Sequence, residues 1–249
     1  MRLVRSLSFL LYCAFGDGFM GQGMYLWQQD WIGELPGEVQ EQVLAGMPRR
    51  HYHSGETIYR CGDAGDELYR VEQGVVRIYN VTDAGKELLY DLFPPGTCFG
   101  ESSLIDDDVR PHSTQAVGEV VLRVLSRSLF QQLWRTHEEI PWAVARLQTA
   151  RARRFYLIYE QVSLGVLCRR VARRLYGLAR TVGRKHEDGG IHFDIRLTQE
   201  DIGALVVGSR QSVNKVLRQW QEDGMIDLTY GSLLIRDLDA LEQLALEND

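Results

Sequence analysis

Hydrophobic and polar positions along the 249-residue chain fall into three regimes. Between residues 51 and 125 the apolar residues come in short β-rich stretches, ELYRV, VVRIYNV, ELLYDLF and EVVLRVL. Gly55, Gly62, Gly65, Gly74, Gly85, Gly96 and Gly100 punctuate this region. Short strands with turn signals at this spacing predict an antiparallel barrel or sandwich, with no helix of normal length between them. From Pro141 to about Leu164 the pattern changes. Val144, Leu147, Phe155, Ile158 and Val162 recur at roughly helical spacing, interrupted by Arg151 and Arg154. Glu138 and Glu139 ahead of Pro141 suit a helix start. A long helix between two domains needs a partner for its apolar stripe, and the same helix of a second subunit is the natural one. Packing of the stripe on its own barrel is the alternative.

The third regime is helical from Val166 to Thr181. GRKHEDGG then reads as a polar turn, IHFDIRL as a strand and MIDLTYGSLLIRD as a hairpin, with two short helices before the hairpin and a last one through LDALEQLALEN. Helices followed by a small hairpin describe a winged helix-turn-helix. Thr198 with Asp201 forms a capping box, and Ile202 and Leu205 give the helix that follows an apolar face. Gly208 supplies a turn, and Ser209 is a good N-cap for the next helix. There Val213, Val216, Leu217 and Trp220 fall at i, i+3, i+4 and i+7 and share one buried face. Arg210, Gln211, Asn214, Lys215 and Arg218 fall on the other side, which carries no carboxylate. Their donors and amides suit guanine and adenine edges and phosphates. A recognition helix enters the major groove N-terminus first, which puts Arg210 and Gln211 nearest the bases. Asn214 and Lys215 lie one turn further on, and Arg218 sits deeper, at phosphate range. Thr198 and Ser209 complete the candidate DNA-contacting set. The competing readings are a solvated polar face on an ordinary helix and a ligand-sensing module without direct DNA readout.

Composition changes this picture little. A 45% hydrophobic and 25% charged chain is ordinary for a globular protein. The net charge of −6 does not look like a nucleic-acid binder, but binding depends on where the charge sits. Arg146, Arg151, Arg153, Arg154, Arg169, Arg170, Arg173, Arg174, Arg180, Arg184 and Lys185 share their span with a single acidic residue, Glu160. Cys13, Cys61, Cys98 and Cys168 are widely spaced, which argues against a zinc site and for a reducing cytoplasm with free thiols.

The first 23 residues stand apart. Arg2 and Arg5 precede an apolar run from Leu7 to Phe15, broken by Gly16 and Asp17. No small-x-small cleavage site follows, and the run is too short to span a bilayer, so no membrane role is expected. Met20 and Met24 offer alternative starts. Residues 1–23 are expected to be a loosely packed or disordered extension, or to lie ahead of the true start codon. Gly96-Thr97-Cys98-Phe99-Gly100 fits the spacing of a nucleophile elbow, but Pro94 and Pro95 stand where its strand belongs and aspartates where its helix belongs. No enzyme is expected. His51 and His53 could form half a metal site, without partner ligands.

Together these stretches resemble the catabolite activator/fumarate–nitrate regulator (CRP/FNR) family of bacterial transcription factors, over about residues 30 to 236. SGETIYRCGDAGDELYRVEQGVVRIY is similar to that family's β-roll and FGESSLIDDDVRPHSTQAV to its phosphate-binding cassette. The most specific match is LTQEDIGALVVGSRQSVNKVLRQWQEDGMI, to its DNA-reading motif. The resemblance implies an α+β fold: a cyclic-nucleotide-binding-like β-roll over residues 24–136, a dimerisation helix over 137–164 and a winged helix-turn-helix DNA-binding domain over 165–249. It implies a cytoplasmic homodimer that binds a pseudo-palindromic site on double-stranded DNA and recruits or blocks RNA polymerase. In members that bind cyclic AMP, a glycine and a glutamate hold the ribose and phosphate and an arginine pairs with the phosphate. Gly100, Glu101 and Arg110 match those positions. Pro111 replaces the small hydroxyl residue after the arginine, and the cassette loop is one residue short. Asp106, Asp107 and Asp108 in it would repel an anion. On the long helix, Ile158 and Tyr159 stand in place of the Thr-Ser pair that contacts adenine, which puts Tyr159 among the effector candidates. These departures count against cyclic AMP, and the effector is unknown. The clustered cysteines of iron–sulfur members are missing, so no such cluster is expected. No pattern supports a haem ligand at His51, His53 or His112. Arg210 keeps its family match as a guanine reader, whereas Gln211 replaces an acidic residue, which implies an altered half-site.

Overall fold

The computed structural model describes residues 30–82, 85, 87–187, 189–195, 197–229 and 232–247. The expected N-terminal extension lies outside the described residues. The Gly-punctuated region folds into a six-stranded antiparallel sheet of β1 (Arg49–Tyr52), β2 (Thr57–Tyr59), β3 (Glu67–Val81), β4 (Glu87–Phe93), β5 (Cys98–Phe99) and β6 (Ser113–Ser126). Its spine is the β3–β6 ladder, in register from Glu67 opposite Ser126 to Tyr79 opposite Ser113. Gly74 sits where that register shifts, at φ +83°, and a Cβ there would lie 2.3 Å from the Glu119 carbonyl. Only glycine allows the bulge. Tyr52, Val71, Val76, Phe99, Val120 and Leu122 fill the interior of the roll. The one helix inside this region, Ser102–Ile105, has four residues.

A second core closes one side of the roll. Helix α1 (Gly37–Ala45) contributes Val39 and Val43, and the segment before it Trp31 and Ile32. With α2 now given to Ser102–Ile105, α3 (Arg127–Thr136) follows β6, and the long helix α4 spans Glu139–Leu164, 26 residues. Pro141 lies in its first turn, where the missing N–H leaves no bond broken. The expected single stripe on α4 divides in two. Val144 and Leu147, together with Ile140 and Ala143, are buried against Leu68, Leu125 and Phe130 of the roll, whereas Phe155 and Ile158 are exposed. A helix packed on its own domain at one end and free at the other cannot keep one apolar face.

The remaining elements are α5 (Leu167–Val182), β7 (Gly183–Lys185), β8 (Ile191–Phe193), α6 (Gln199–Leu205), α7 (Arg210–Glu222), β9 (Ile226–Thr229), β10 (Ser232–Ile235) and α8 (Leu238–Leu246). The strands form one sheet in the order β7-β8-β10-β9. Gly183–Lys185, expected within a polar turn, therefore supplies a strand, with Arg184 opposite His192. The core of this half includes Val171, Leu175, Ile202, Val213, Leu217 and Trp220, and it takes in Leu89 and Leu92 from β4 of the roll.

Between those two leucines in the chain lies Asp91. Its carboxylate accepts from Arg154 of α4 at 2.6 Å and from Arg174 of α5, so one side chain of the roll meets both other parts of the molecule. Burial would raise the Asp91 carboxyl. The charges of Arg174 and Arg154 more than offset this and, with the Leu92 N–H, hold it well below the usual carboxylate range.

Gly208 lies in the turn between α6 and α7, as expected. Gly208 is not the left-handed position; Val207 is, at φ +51°. The Gly208 N–H donates to the Gly203 carbonyl at 2.8 Å, and it is at Gly203 that glycine is required for closeness, since a Cβ there would lie 2.8 Å from the Gly208 carbonyl. A β-branched residue in the left-handed region is strained.

Two outcomes follow from these geometries. Asp91→Ala leaves two guanidiniums in a half-buried site without their carboxylate, and should cost about 3 kcal/mol in urea unfolding. A loss below about 0.5 kcal/mol would show that the contact carries no stability. Because the folded carboxyl is depressed, this contribution is present above about pH 4 and is lost as the pH falls further. Val207→Gly relieves the strained turn and should raise stability by about 1 kcal/mol, after the greater chain entropy of glycine is allowed for. A fall in melting temperature would contradict this.

Candidate nucleic-acid interface and effector pocket

Helix α7 begins where Ser209 Oγ accepts the Ser212 N–H at 3.0 Å, and α6 begins with a complete capping box. In that box Thr198 Oγ1 accepts the Asp201 N–H at 3.1 Å and the Asp201 carboxylate accepts the Thr198 N–H at 2.9 Å. The hydroxyls of Thr198 and Ser209 thus serve as helix caps that fix the two ends of the motif. Val213, Leu217 and Trp220 are buried on one face of α7, with Val216 partly so. Arg210, Gln211, Lys215 and Arg218 are exposed on the other, and no ion pair engages them among the described residues. Asn214 is half-buried, and its Oδ1 accepts from Gln199 Nε2 at 3.0 Å. The result is a rigid, donor-rich face that a carboxylate does not interrupt.

The basic run between Arg146 and Lys185 divides between internal ion pairs and exposed residues. Arg146 pairs with Glu34, Arg151 with Glu101, Arg154 and Arg174 with Asp91, and Arg169 with Glu247. Arg173 donates to the carbonyl of Ala245 at 2.7 Å. Arg153, Arg180 and Lys185 remain exposed without an ion pair among the described residues. Five of the eleven residues thus hold the molecule together through carboxylates far away in sequence, and Arg184 pairs locally with Asp194.

In the roll, Gly100 takes φ +89°, and a Cβ there would lie 2.8 Å from the guanidinium of Arg110. Arg110 is 2% exposed, donates to the carbonyls of Gly100 at 2.7 Å and of Glu67, and lies 4.4 Å over the ring of Tyr59. Its Nε has no partner. Glu101 is fully buried, and no ion pair joins it to Arg110. Arg151 of α4 grips it instead and also donates to the Cys98 carbonyl at 2.6 Å, while Gln148 Nε2 reaches the same Glu101 oxygen at 3.1 Å. The second oxygen of Glu101 is buried without a partner. Gly100, Glu101 and Arg110 therefore converge, but Tyr159 does not join them: it is 67% exposed on α4.

Arg151, Gln148 and Tyr59 are the site residues that sequence reasoning missed. The one available signal was Arg151 itself, a charge interrupting an apolar stripe. His112 lies 3.2 Å from Tyr59 Oη, and burial, then the charges of Arg151 and Arg110, push its pKa down to about 4. It is a neutral ring near pH 7. Burial pushes the Cys98 thiol well up, which leaves it protonated and unsuited to nucleophilic work. His53 meets Glu119 at 3.1 Å, and among the described residues no three metal-ligating side chains gather.

Two family models match the chain: a cyclic nucleotide-binding domain over residues 49–137 and a Crp-like helix-turn-helix domain over residues 169–244. The cyclic AMP receptor protein of Thermus thermophilus is 33% identical over 213 residues, 86% of this chain and 94% of that protein. A CRP-like cAMP-activated global transcriptional regulator of Mycobacterium tuberculosis is 32% identical over 211 residues, covering 83% and 94%. Among solved structures, a CRP-family transcriptional regulator from Thermus thermophilus superposes with a TM-score of 0.66 at 29% identity, over 79% of this chain and 96% of that one. No helix among the described residues is long and apolar enough to cross a membrane.

Proposed function

The chain belongs to the CRP/FNR family of DNA-binding transcription regulators, and we propose that it reads its operator through the exposed face of α7. The observation that carries this reading is the capped helix on which Arg210, Gln211, Lys215 and Arg218 stand free of carboxylates, while Val213, Leu217 and Trp220 anchor it from behind. Arg210 opens the helix and reads a guanine edge; Gln211 reads the adjoining base, Asn214 and Lys215 the next turn, and Arg218 a phosphate. Exposed Arg153, Arg180 and Lys185 add to the sequence-independent, salt-sensitive share of affinity.

The regulator acts as a homodimer on a two-fold site and engages RNA polymerase from that position. Trp142, Ala145, Thr149, Ala152, Tyr156 and Tyr159 are exposed on α4 at alternating spacings of three and four. Such a seam suits the same helix of a second copy, with small residues at its centre for close approach and aromatic rings at both ends. This is a different face from the one expected on apolar content alone.

The roll is the sensor. The unpartnered Arg110 Nε and Glu101 oxygen support a small ligand carrying both an anionic group and a hydroxyl. Arg151 holds Glu101 and Arg154 holds Asp91, one turn apart on one helix, so a ligand that displaces Arg151 acts on the helix that also grips the domain boundary. Several relatives are named for cyclic AMP, but Pro111 offers no side-chain donor here, and Asp106, Asp107 and Asp108 lie in the loop between Glu101 and Arg110, where their charge opposes an anion.

Arg210→Ala should cost about 1–3 kcal/mol at one base position and relax selectivity there. Lys215→Ala should either do the same at another position or weaken binding to all sequences and reduce its salt dependence. Unchanged footprints for both variants would remove α7 from the interface. Calorimetry with cyclic AMP should show no submicromolar binding; tight binding abolished by Arg110→Ala would restore cyclic AMP as the effector.

A further inference from the structure

We infer that Gln199 is a specificity-determining positioning residue, which sets which end of the Asn214 side chain faces the DNA. The inference rests on the reading of α7 as the recognition helix. An asparagine amide has an acceptor end and a donor end, and on an exposed helix either can turn outward by rotation about its last torsion. Here the choice is made from outside the helix. Gln199 Nε2 donates to Asn214 Oδ1 at 3.0 Å, which engages the acceptor end and leaves the two Nδ2 hydrogens for a partner.

The backbone that carries Gln199 is itself fixed. Gln199 is the first residue of α6, directly after Thr198, whose capping box with Asp201 closes in both directions. Val206 and Gly208 bond back to Ile202 and Gly203, so α6 and the start of α7 form one rigid unit. Asn214 lies one turn beyond Arg210, within the stretch that enters the groove, and is half-buried by its neighbours. Its rotation is therefore limited before DNA arrives.

Major-groove edges differ in what they offer. Guanine presents O6 and N7, and thymine O4, as acceptors, whereas cytosine N4 and adenine N6 are donors. An amide held with its donors outward favours the acceptor edges. It also disfavours the two-point pairing with adenine N6 and N7 that a free asparagine makes, because Oδ1 is turned toward Gln199 and has one of its two lone pairs engaged there.

Gln199→Glu converts the donor at this position into a group that only accepts. Asn214 must then turn its Nδ2 toward the carboxylate, which brings Oδ1 outward. A glutamate in the first turn of α6 suits the helix dipole, so the variant should fold. The experiment measures the affinity of full-length protein for duplexes in which each base of its selected site is varied in turn. The position read by Asn214 is the one where Asn214→Ala loses its preference. There, wild type should favour guanine or thymine, and Gln199→Glu should reverse the order toward cytosine or adenine by about fivefold, the worth of one hydrogen bond. Gln199→Ala should flatten the preference. In the Asn214→Ala background, Gln199→Glu should lower all affinities together and change no ratio. Selective wild-type binding with base ratios unchanged in Gln199→Glu and Gln199→Ala overturns the inference and leaves the DNA reading intact. A wild type that selects no sequence overturns both.

Discussion

Asp91 is the carboxylate on which the arrangement of the three parts turns. It projects from the roll and meets Arg154 of the long helix and Arg174 of the first helix in the DNA-binding half. Each guanidinium alone would be costly to half-bury, and so would the carboxylate; together they satisfy one another in a setting where water is largely excluded. Leu89 and Leu92 on either side enter the core of the second half, so the charged contact is framed by apolar packing. The recognition helix rests on the same body through Ile202, Val213 and Leu217. Its position relative to the roll is fixed by this one boundary.

The long helix links that boundary to the buried Glu101 of the roll. Arg151 and Arg154 lie on neighbouring sides of one turn, and each holds a carboxylate of the roll, Glu101 and Asp91. A rigid helix cannot change its grip on one without straining the other. The free seam from Trp142 to Tyr159 faces away from both contacts, which leaves it open to a second copy while the roll and the DNA-binding half stay engaged.

Much of this was legible in the sequence, because local chemistry dictated it. The capping box at Thr198, the cap at Ser209 and the buried face of α7 follow from spacing alone, and the glycines of the roll mark turns and a bulge that only glycine tolerates. Long-range choices were less legible. The arginines of the basic run look alike in sequence, yet the structure assigns five of the ten to Glu34, Asp91, Glu101 and Glu247, partners that no spacing reveals. The division of the α4 stripe had the same cause: Val144 and Phe155 carry equal apolar weight, and only the shape of the roll decides which is covered. At the turn before α7 the sequence offers Gly208, yet the left-handed position falls on the neighbouring Val207. Hydrophobic pattern and capping report on elements; they do not report on which surfaces meet.

In the proposed function α7 reads base sequence twice, once from each copy of a two-fold dimer. The most direct measurement is selection of bound duplexes from a random pool by the full-length protein. Selection should enrich a motif of two inverted half-sites with centres about 10 base pairs, or a multiple of that, apart. Recovery of the pool without enrichment, at an affinity set by salt alone, would contradict it.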